Sequence, residues 1–352
     1  MNILLMTDKL TTGGAEIYFC KLENNLPQDK VTVYTAAGSG ELYKHIKHKD
    51  RFLELSKSNH LLNLWRIRKL IRNKKIDIIH ANSLRVVLLL LFIRLTILQS
   101  FQCIYTKHNV TILEKQAPDL FVFLLNKFVT KVITVSHYER NHLIELGVHR
   151  QNITTIYNGV DLDQFQYQNK RSEMVFKVGI LARLSEEKNH TLFIDIANQL
   201  KQHTKIEFYA AGDGPDYQII KDKIIKANLE HRVTLLGNID EPEKFIKEMD
   251  VLVLTSKREV FPMVVLEAMA VGTPMISIDK GGIKEAIINN ETGILISEHS
   301  VDMYCTKIRE LQQNKQLRLN LTRRARQKVM NEFSLNNMVM KTFEEYGRYH
   351  FF

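Results

Sequence analysis

The sequence predicts an α/β protein of two doubly wound, parallel-sheet domains, and three observations carry that prediction. Short apolar runs rich in Val and Ile recur between longer stretches of helical period, the alternation produced by a parallel sheet covered with helices. The runs fall into two comparable sets, as two separate sheets would need. The 352 residues exceed the ~250–300 at which single cores stop growing, so two domains are expected, with one large barrel as the alternative.

In order, the first set places strands at Asn2–Met6, Val31–Thr35, Ile76–His80, Gln102–Thr106, Val132–Val135 and Ile153–Ile156. The second set places them at Phe176–Leu181, Lys205–Ala210, Val233–Leu236, Val251–Thr255, Met275–Ser277 and Gly293–Ile296. Between the sets, Asp163–Glu173 is polar and lacks apolar period, which puts the domain join there and divides the chain into 1–165 and 166–335. There is no internal repeat and no low-complexity tract.

With 45% hydrophobic and 25% charged residues, the chain is neither disordered nor collagen-like. The net charge of +10 admits an anionic partner: nucleic acid, an acidic membrane or a phosphorylated small molecule. Of the charged residues, 22 basic and 14 acidic fall in 1–165, net +8, so the basic surface belongs mostly to the first half. No nucleic-acid recognition module interleaves these residues, which sets nucleic acid last. Cys20, Cys103 and Cys305 are odd in number and far apart, unsuited to a disulfide framework, and a reducing cytosol is the expected compartment. The run before Asp8 is too short for a signal-peptide core and reads as a first buried strand.

Leu84–Phe101 is the most apolar segment, but Arg85 and Arg94 leave eight uninterrupted apolar residues between them, short of the ~20 a spanning helix needs. A buried or interface helix is expected. Upstream, Leu61, Leu64, Trp65, Arg68 and Arg72 share a helical stripe, which fits either an ordinary surface helix or one lying on a membrane.

Four loops could carry chemistry. Gly13-Gly14 follows the first strand at a helix start, where backbone N–H groups can approach an anion, although the spacing is not GxGxxG. Arg183 and Lys188 stand where strand gives way to helix, the edge at which doubly wound sheets bind phosphates, and one fork and one point charge together suit a diphosphate. Gly212 and Gly214 form a turn at the same edge. In Ser256–Pro274, Glu259 lies in a loop and Glu267 inside a helix that starts near Phe261 or Pro262. The first N–H groups of that helix, on Met263 and Val264, make an anion- or hydroxyl-binding turn, and the carboxylates suit sugar hydroxyls.

Together, GGAE at 13–16, ARLSEEKN at 182–189, AAGDGP at 210–215, EVFPMVVLEAMAVGTP at 259–274, GGIKEAI at 281–287 and TGILI at 292–296 resemble the ordered signature set of the retaining family 4 glycosyltransferases of the GT-B fold. The resemblance runs from residue 3 to about 346 and includes FSLNNMVMKTFEEYG, similar to the family's terminal helix, which implies that 336–352 packs back on the N-terminal domain. It implies two facing Rossmann-like domains with the donor cleft between them: an N-terminal acceptor domain and a C-terminal nucleotide-sugar domain. By this resemblance Arg183 and Lys188 contact the donor diphosphate, Glu259 the transferred sugar and Glu267 the ribose. Gly13 and Gly14 face donor phosphate and acceptor, and His108 lies near the reacting sugar. Gly212, Gly214, Phe261, Pro262, Met263 and Val264 complete the donor site. Val260, Pro262 and Ala182 stand where the family commonly has Gly, departures that bear on donor identity.

The resemblance therefore implies a metal-independent transferase of hexosyltransferase type, taking a nucleotide-diphosphate-sugar as co-substrate, UDP-sugar favoured, with no cofactor. Its acceptor class is a lipid-linked glycan or cell-envelope polysaccharide, at the cytoplasmic face of the membrane, with peripheral contact through the basic N-terminal half. A sugar-nucleotide 2-epimerase and a non-catalytic partner subunit of the same fold are the alternatives. E-x7-E downstream of ARLSEEKN favours transfer, and the presence of Arg183, Lys188 and Glu259 argues against a lost donor site. Asp161-Leu162-Asp163 spells a metal-binding DxD, but it follows Asn158-Gly159 at a turn, and no metal is expected there. His80, ending a strand, is either a structural cap or an acceptor contact, and His137 follows a Ser suited to cap a helix.

Overall fold

The N-terminal apolar run becomes strand β1 (Asn2–Lys9) in the computed structural model, which describes residues 1–96, 100–168 and 174–349. Its side chains alternate between two cores, Leu4 and Met6 on one side and Ile3 and Leu5 on the other, as a strand covered by helices on both faces requires. Around it stand β2 (Thr32–Gly38), β3 (Phe52–Leu55), β4 (Ile78–Ala81), β5 (Gln102–Lys107), β6 (Lys131–Thr134) and β7 (Ile153–Thr155). All pairings are parallel, in the order β3-β2-β1-β4-β5-β6-β7. The order reverses between β1 and β4, and at such a switch point the loops leaving the strands' C-terminal ends open a crevice for ligands.

Helices His60–Asn73, Leu84–Arg94, Pro118–Phe128 and His137–Leu146 bury their apolar sides on one face of this sheet. Gly14–Asn25 and the C-terminal helix Leu335–Gly347 cover the other. Leu84–Arg94 buries Leu84, Val86, Val87, Leu90 and Ile93 and is a core helix. Residues 97–99 of the same apolar segment lie outside the described residues. Among the described residues no helix is long and apolar enough to cross a membrane.

The second unit repeats the winding with β8 (Phe176–Leu181), β9 (Ile206–Ala211), β10 (Val233–Gly237), β11 (Val251–Leu254), β12 (Met275–Ile278) and β13 (Ile294–Ile296). Their order is β10-β9-β8-β11-β12-β13, again parallel, with the switch between β8 and β11. Helices His190–Gln199, Tyr217–Lys226 and Val301–Gln313 pack on one core. Met263–Val271, apolar on nearly every side, is buried from Val265 onward.

The units comprise Met1–Gly159 with Leu335–Phe352, and Val160–Ser334. The division at 159/160 thus precedes the expected 165/166. Phe165 is buried and the Gln168 N–H donates to the Val271 carbonyl at 3.0 Å, so the polar tract belongs to the second unit, and its residues 169–173 lie outside the description. The chain enters and leaves this unit side by side: the Val160 N–H donates to the Phe333 carbonyl at 2.9 Å, and Val160 pairs with Ser334. The C-terminal helix groups with the first unit, and residues 350–352 of the expected 336–352 are not described. All three cysteines are buried free thiols.

Candidate active site

In the second unit, β8 and β11 lie side by side, and the loops leaving them bring Lys188 and Glu259 together. Glu259, 7% exposed, accepts at Oε1 from Lys188 Nζ at 2.6 Å and from Ser256 Oγ at 2.6 Å. Both partners offset the cost of burying the carboxylate. Thr255 Oγ1 holds the opposite loop by donating to the carbonyls of Lys188 at 3.0 Å and Asn189 at 3.1 Å. Asn189 is left-handed (φ 53°) and turns the chain from Lys188 into helix His190–Gln199. Arg183 is exposed and holds no ion pair among the described residues. One cation is thus committed to a carboxylate and the other is open to an anion.

Glycines set these loops against each other. Gly281 has φ +62°, and a Cβ there would stand 1.7 Å from the Glu259 carbonyl oxygen, while the Gly282 N–H donates to the Val260 carbonyl at 3.0 Å. The turn after β12 is therefore the seat of the Glu259 backbone. Gly212 (φ +128°) lies where a Cβ would be 2.1 Å from the Ala182 carbonyl oxygen, and Gly214 where it would be 2.2 Å from that of Leu184. Expected as donor contacts, Gly212 and Gly214 are the residues that let the β9 loop lie against the Arg183 loop.

Helix Met263–Val271 starts one or two residues later than expected, with Pro262 as its N-cap, and its first-turn N–H groups on Met263 and Val264 have no intrahelical acceptor. The Phe261 side chain is turned into the core, its ring centroid 5.5 Å from that of Phe333, so only its backbone faces the loop. Glu267, 8% exposed, lies in the second turn of that helix.

In the first unit, Gly13 caps helix Gly14–Asn25 in extended conformation. A Cβ on Gly14 would meet nothing within 4 Å, and one on Gly13 only the Glu16 side chain, so packing within the unit does not demand glycine at either position. Ser83 Oγ, donating to Asp8 Oδ1 at 2.8 Å, and Thr12, donating to Glu41 Oε1 at 2.9 Å, tie down this loop. His108 follows β5, with Nε2 2.8 Å from Asn82 Oδ1 and its ring edge-on to Tyr18 at 4.7 Å, and burial pushes its pKa down to about 3. His80 is fully buried between Tyr346 Oη at Nδ1 (2.5 Å) and Thr106 Oγ1 at Nε2 (2.7 Å), which makes it a structural residue and not an acceptor contact. Asp161 Oδ1 accepts from the N–H groups of Asp163 (3.0 Å) and Gln164 (3.2 Å), so the DxD tripeptide builds a turn. Ser136 caps its helix by accepting from the Glu139 N–H at 3.2 Å, and His137 is exposed. Sequence reasoning missed Ser256, Thr255, Asn82 and the role of Gly281; the Gly281-Gly282 pair, with two residues between it and the end of β12, was the one signal available.

Residues 12–164 match the family described as Glycosyltransferase Family 4, and residues 163–328 match Glycosyl transferases group 1. An uncharacterized glycosyltransferase of Methanocaldococcus jannaschii is 30% identical over 316 residues, 86% of this chain and 84% of that protein. A UDP-Gal:alpha-D-GlcNAc-diphosphoundecaprenol alpha-1,3-galactosyltransferase of Escherichia coli is 27% identical over 62% of this chain and 60% of its own length. Against several such relatives the chain spans less than two thirds of their length, 57% in one case. In fold, the chain is similar to Anabaena HepE, solved in complex with UDP-glucose, with a TM-score of 0.86 at 20% identity over 99% of this chain and 100% of that one.

Proposed function

Because the chain belongs to the family 4 glycosyltransferases, we propose that it moves one sugar from a nucleotide-diphosphate-sugar, a UDP-sugar in the first instance, to a hydroxyl of a lipid-linked glycan or cell-envelope polysaccharide. The observation that carries the reading is the Lys188–Glu259–Ser256 cluster at the β8/β11 switch point, with Arg183 exposed in the loop that carries Lys188 and in no ion pair among the described residues. In the ligand-free protein the Lys188 ammonium neutralises Glu259. An incoming diphosphate competes for that ammonium and engages Arg183, which releases the carboxylate to accept hydrogen bonds from sugar hydroxyls.

Transfer proceeds with retention and without a metal. The bond from the anomeric carbon to the β-phosphate oxygen breaks, its electron pair leaving on the diphosphate. The acceptor oxygen bonds the same carbon on the same face and gives its proton to that phosphate oxygen. Arg183 and Lys188 stabilise the charge that develops, and His108 orients the sugar. The name of the Escherichia coli relative, with its UDP-linked donor and diphosphoundecaprenol acceptor, supports the substrate classes.

Work at the cytoplasmic face of a membrane fits the outer side of the first unit. Leu61, Trp65 (58% exposed), Phe92, Leu95 (84%) and Phe123 are exposed on or beside three helices that cover one sheet face, and Arg66, Lys69 and Arg72 are exposed on one of the three.

The test is a panel of UDP-, GDP- and ADP-sugars with EDTA present, scored by thermal shift and nucleotide release, with Glu259→Ala as control. One donor is expected to stabilise the wild type and be hydrolysed slowly without metal. Indifference to every donor, with the variant indistinguishable from wild type, refutes the reading.

A further inference from the structure

We propose that Asn82 is a positioning residue that locks His108 in the Nε2–H tautomer and so presents Nδ1 as an acceptor for a substrate hydroxyl. The role of the hydroxyl rests on the transferase reading; the lock does not. Asn82 directly follows β4, is 4% exposed, and its backbone N–H donates to the Met6 carbonyl at 2.8 Å, so its position is set from two strands. Its Nδ2 donates to the Ala15 carbonyl at 2.8 Å. A carbonyl only accepts, so this bond decides which end of the amide points the other way: Oδ1, an acceptor with no proton to give. At 2.8 Å from it, His108 Nε2 has to be the donor. A neutral imidazole has one N–H, and Nδ1 is left with its lone pair.

The ring stays neutral because burial pushes its pKa down to about 3; among the described residues Tyr18, on helix Gly14–Asn25, packs against it, and His80, on β4, is itself neutral. Lys107, its neighbour on β5, is fully buried with its ammonium bound to Glu114 and Glu139. A lone pair repels a phosphate oxygen and accepts from a hydroxyl. His108 therefore reads the sugar or the acceptor alcohol, and the diphosphate is left to the cationic residues.

The experiment is ¹⁵N-histidine NMR of the full chain, with His108→Gln assigning the signal, on wild type, Asn82→Ala and Asn82→Asp, alongside kcat and KM. The wild type should show Nδ1 unprotonated and Nε2 protonated. Asn82→Ala should mix the tautomers and lower kcat roughly ten- to hundred-fold, the cost of a misplaced group, with donor KM little changed. Asn82→Asp still accepts from Nε2–H but its charge favours imidazolium, so Nδ1 should take up a proton at higher pH than in the wild type, with kcat falling as it does. An Nδ1–H tautomer in the wild type overturns the lock, as does an Asn82→Ala spectrum unchanged from wild type. If Asn82→Ala does not fold, the Asn82→Asp titration decides alone, an unshifted Nδ1 overturning the proposal. A protein that turns over no donor fails the transferase reading while the spectra still decide the lock.

Discussion

Lys188→Met is the sharpest perturbation of the site. The pair it breaks is 2.6 Å long, and Glu259 keeps only the Ser256 hydroxyl inside a pocket where it is 7% exposed. Removing one partner of a buried pair costs about 3–5 kcal/mol, but the Lys188 side chain is 25% exposed, so solvent screens part of it and about 2 kcal/mol is expected. Glu259→Gln keeps an acceptor for Ser256 and leaves Lys188 access to water, so it should cost about half as much, roughly 1 kcal/mol. In the double variant no charge is stranded, and the cycle should return a coupling of about 1–2 kcal/mol. Urea unfolding followed by circular dichroism is the assay, because Trp65, the sole tryptophan, sits in the other unit and would report the wrong transition. In turnover, Lys188→Met should lose about 10²–10³ in kcat, as expected when a preorganised donor to a developing anion is removed. Single variants within about 0.5 kcal/mol of wild type, or strictly additive effects, would refute the claim that the ammonium holds the carboxylate in place.

Gly281→Ala should lower stability by about 2 kcal/mol or more and abolish turnover, since φ +62° and a Cβ 1.7 Å from the Glu259 carbonyl force that loop away; melting and nucleotide release check it. His80, held at about 3 against an ordinary 6.5, is neutral when folded and takes up a proton on unfolding below pH 6.5. Its contribution is therefore complete above pH 6.5 and is lost as pH falls towards 3, by about 1.4 kcal/mol per pH unit, and His80→Gln should flatten the fall of urea-unfolding stability between about pH 6 and pH 4. Vesicles rich in anionic lipid should shift Trp65 emission to the blue, and added salt should reverse the shift. Neutral vesicles giving the same salt-insensitive shift would remove the electrostatic part of the membrane reading.

Most of the fold was legible because a parallel strand is a local signal: Val and Ile runs such as Phe176–Leu181 announce themselves without help from the rest of the chain. The strand that escaped, β3 (Phe52–Leu55), is four residues at a sheet edge with Glu54 exposed, and a short half-solvated run has no period to detect. The domain boundary escaped for a different reason, since the pairing that marks it joins Val160 to Ser334 across the whole second unit. The same distinction divides the site. Arg183 and Lys188 could be picked out from one loop and Glu259 from another, but what the residues do is set by partners far away in sequence: 71 residues for Lys188 and Glu259, 26 for Asn82 and His108. For His80 the deciding partner, Tyr346, is 266 residues away on the C-terminal helix, which is why the same strand-end histidine could be read either as a cap or as an acceptor contact. Chemistry-bearing residue types are thus written locally, whereas protonation state, tautomer and charge pairing belong to the sheet order that brings β1, β4 and β5, or β8 and β11, side by side. A variant that leaves every motif intact and disturbs only one of these long-range bonds should therefore lose activity, and Asn82→Ala, outside all the quoted signatures, is the direct case.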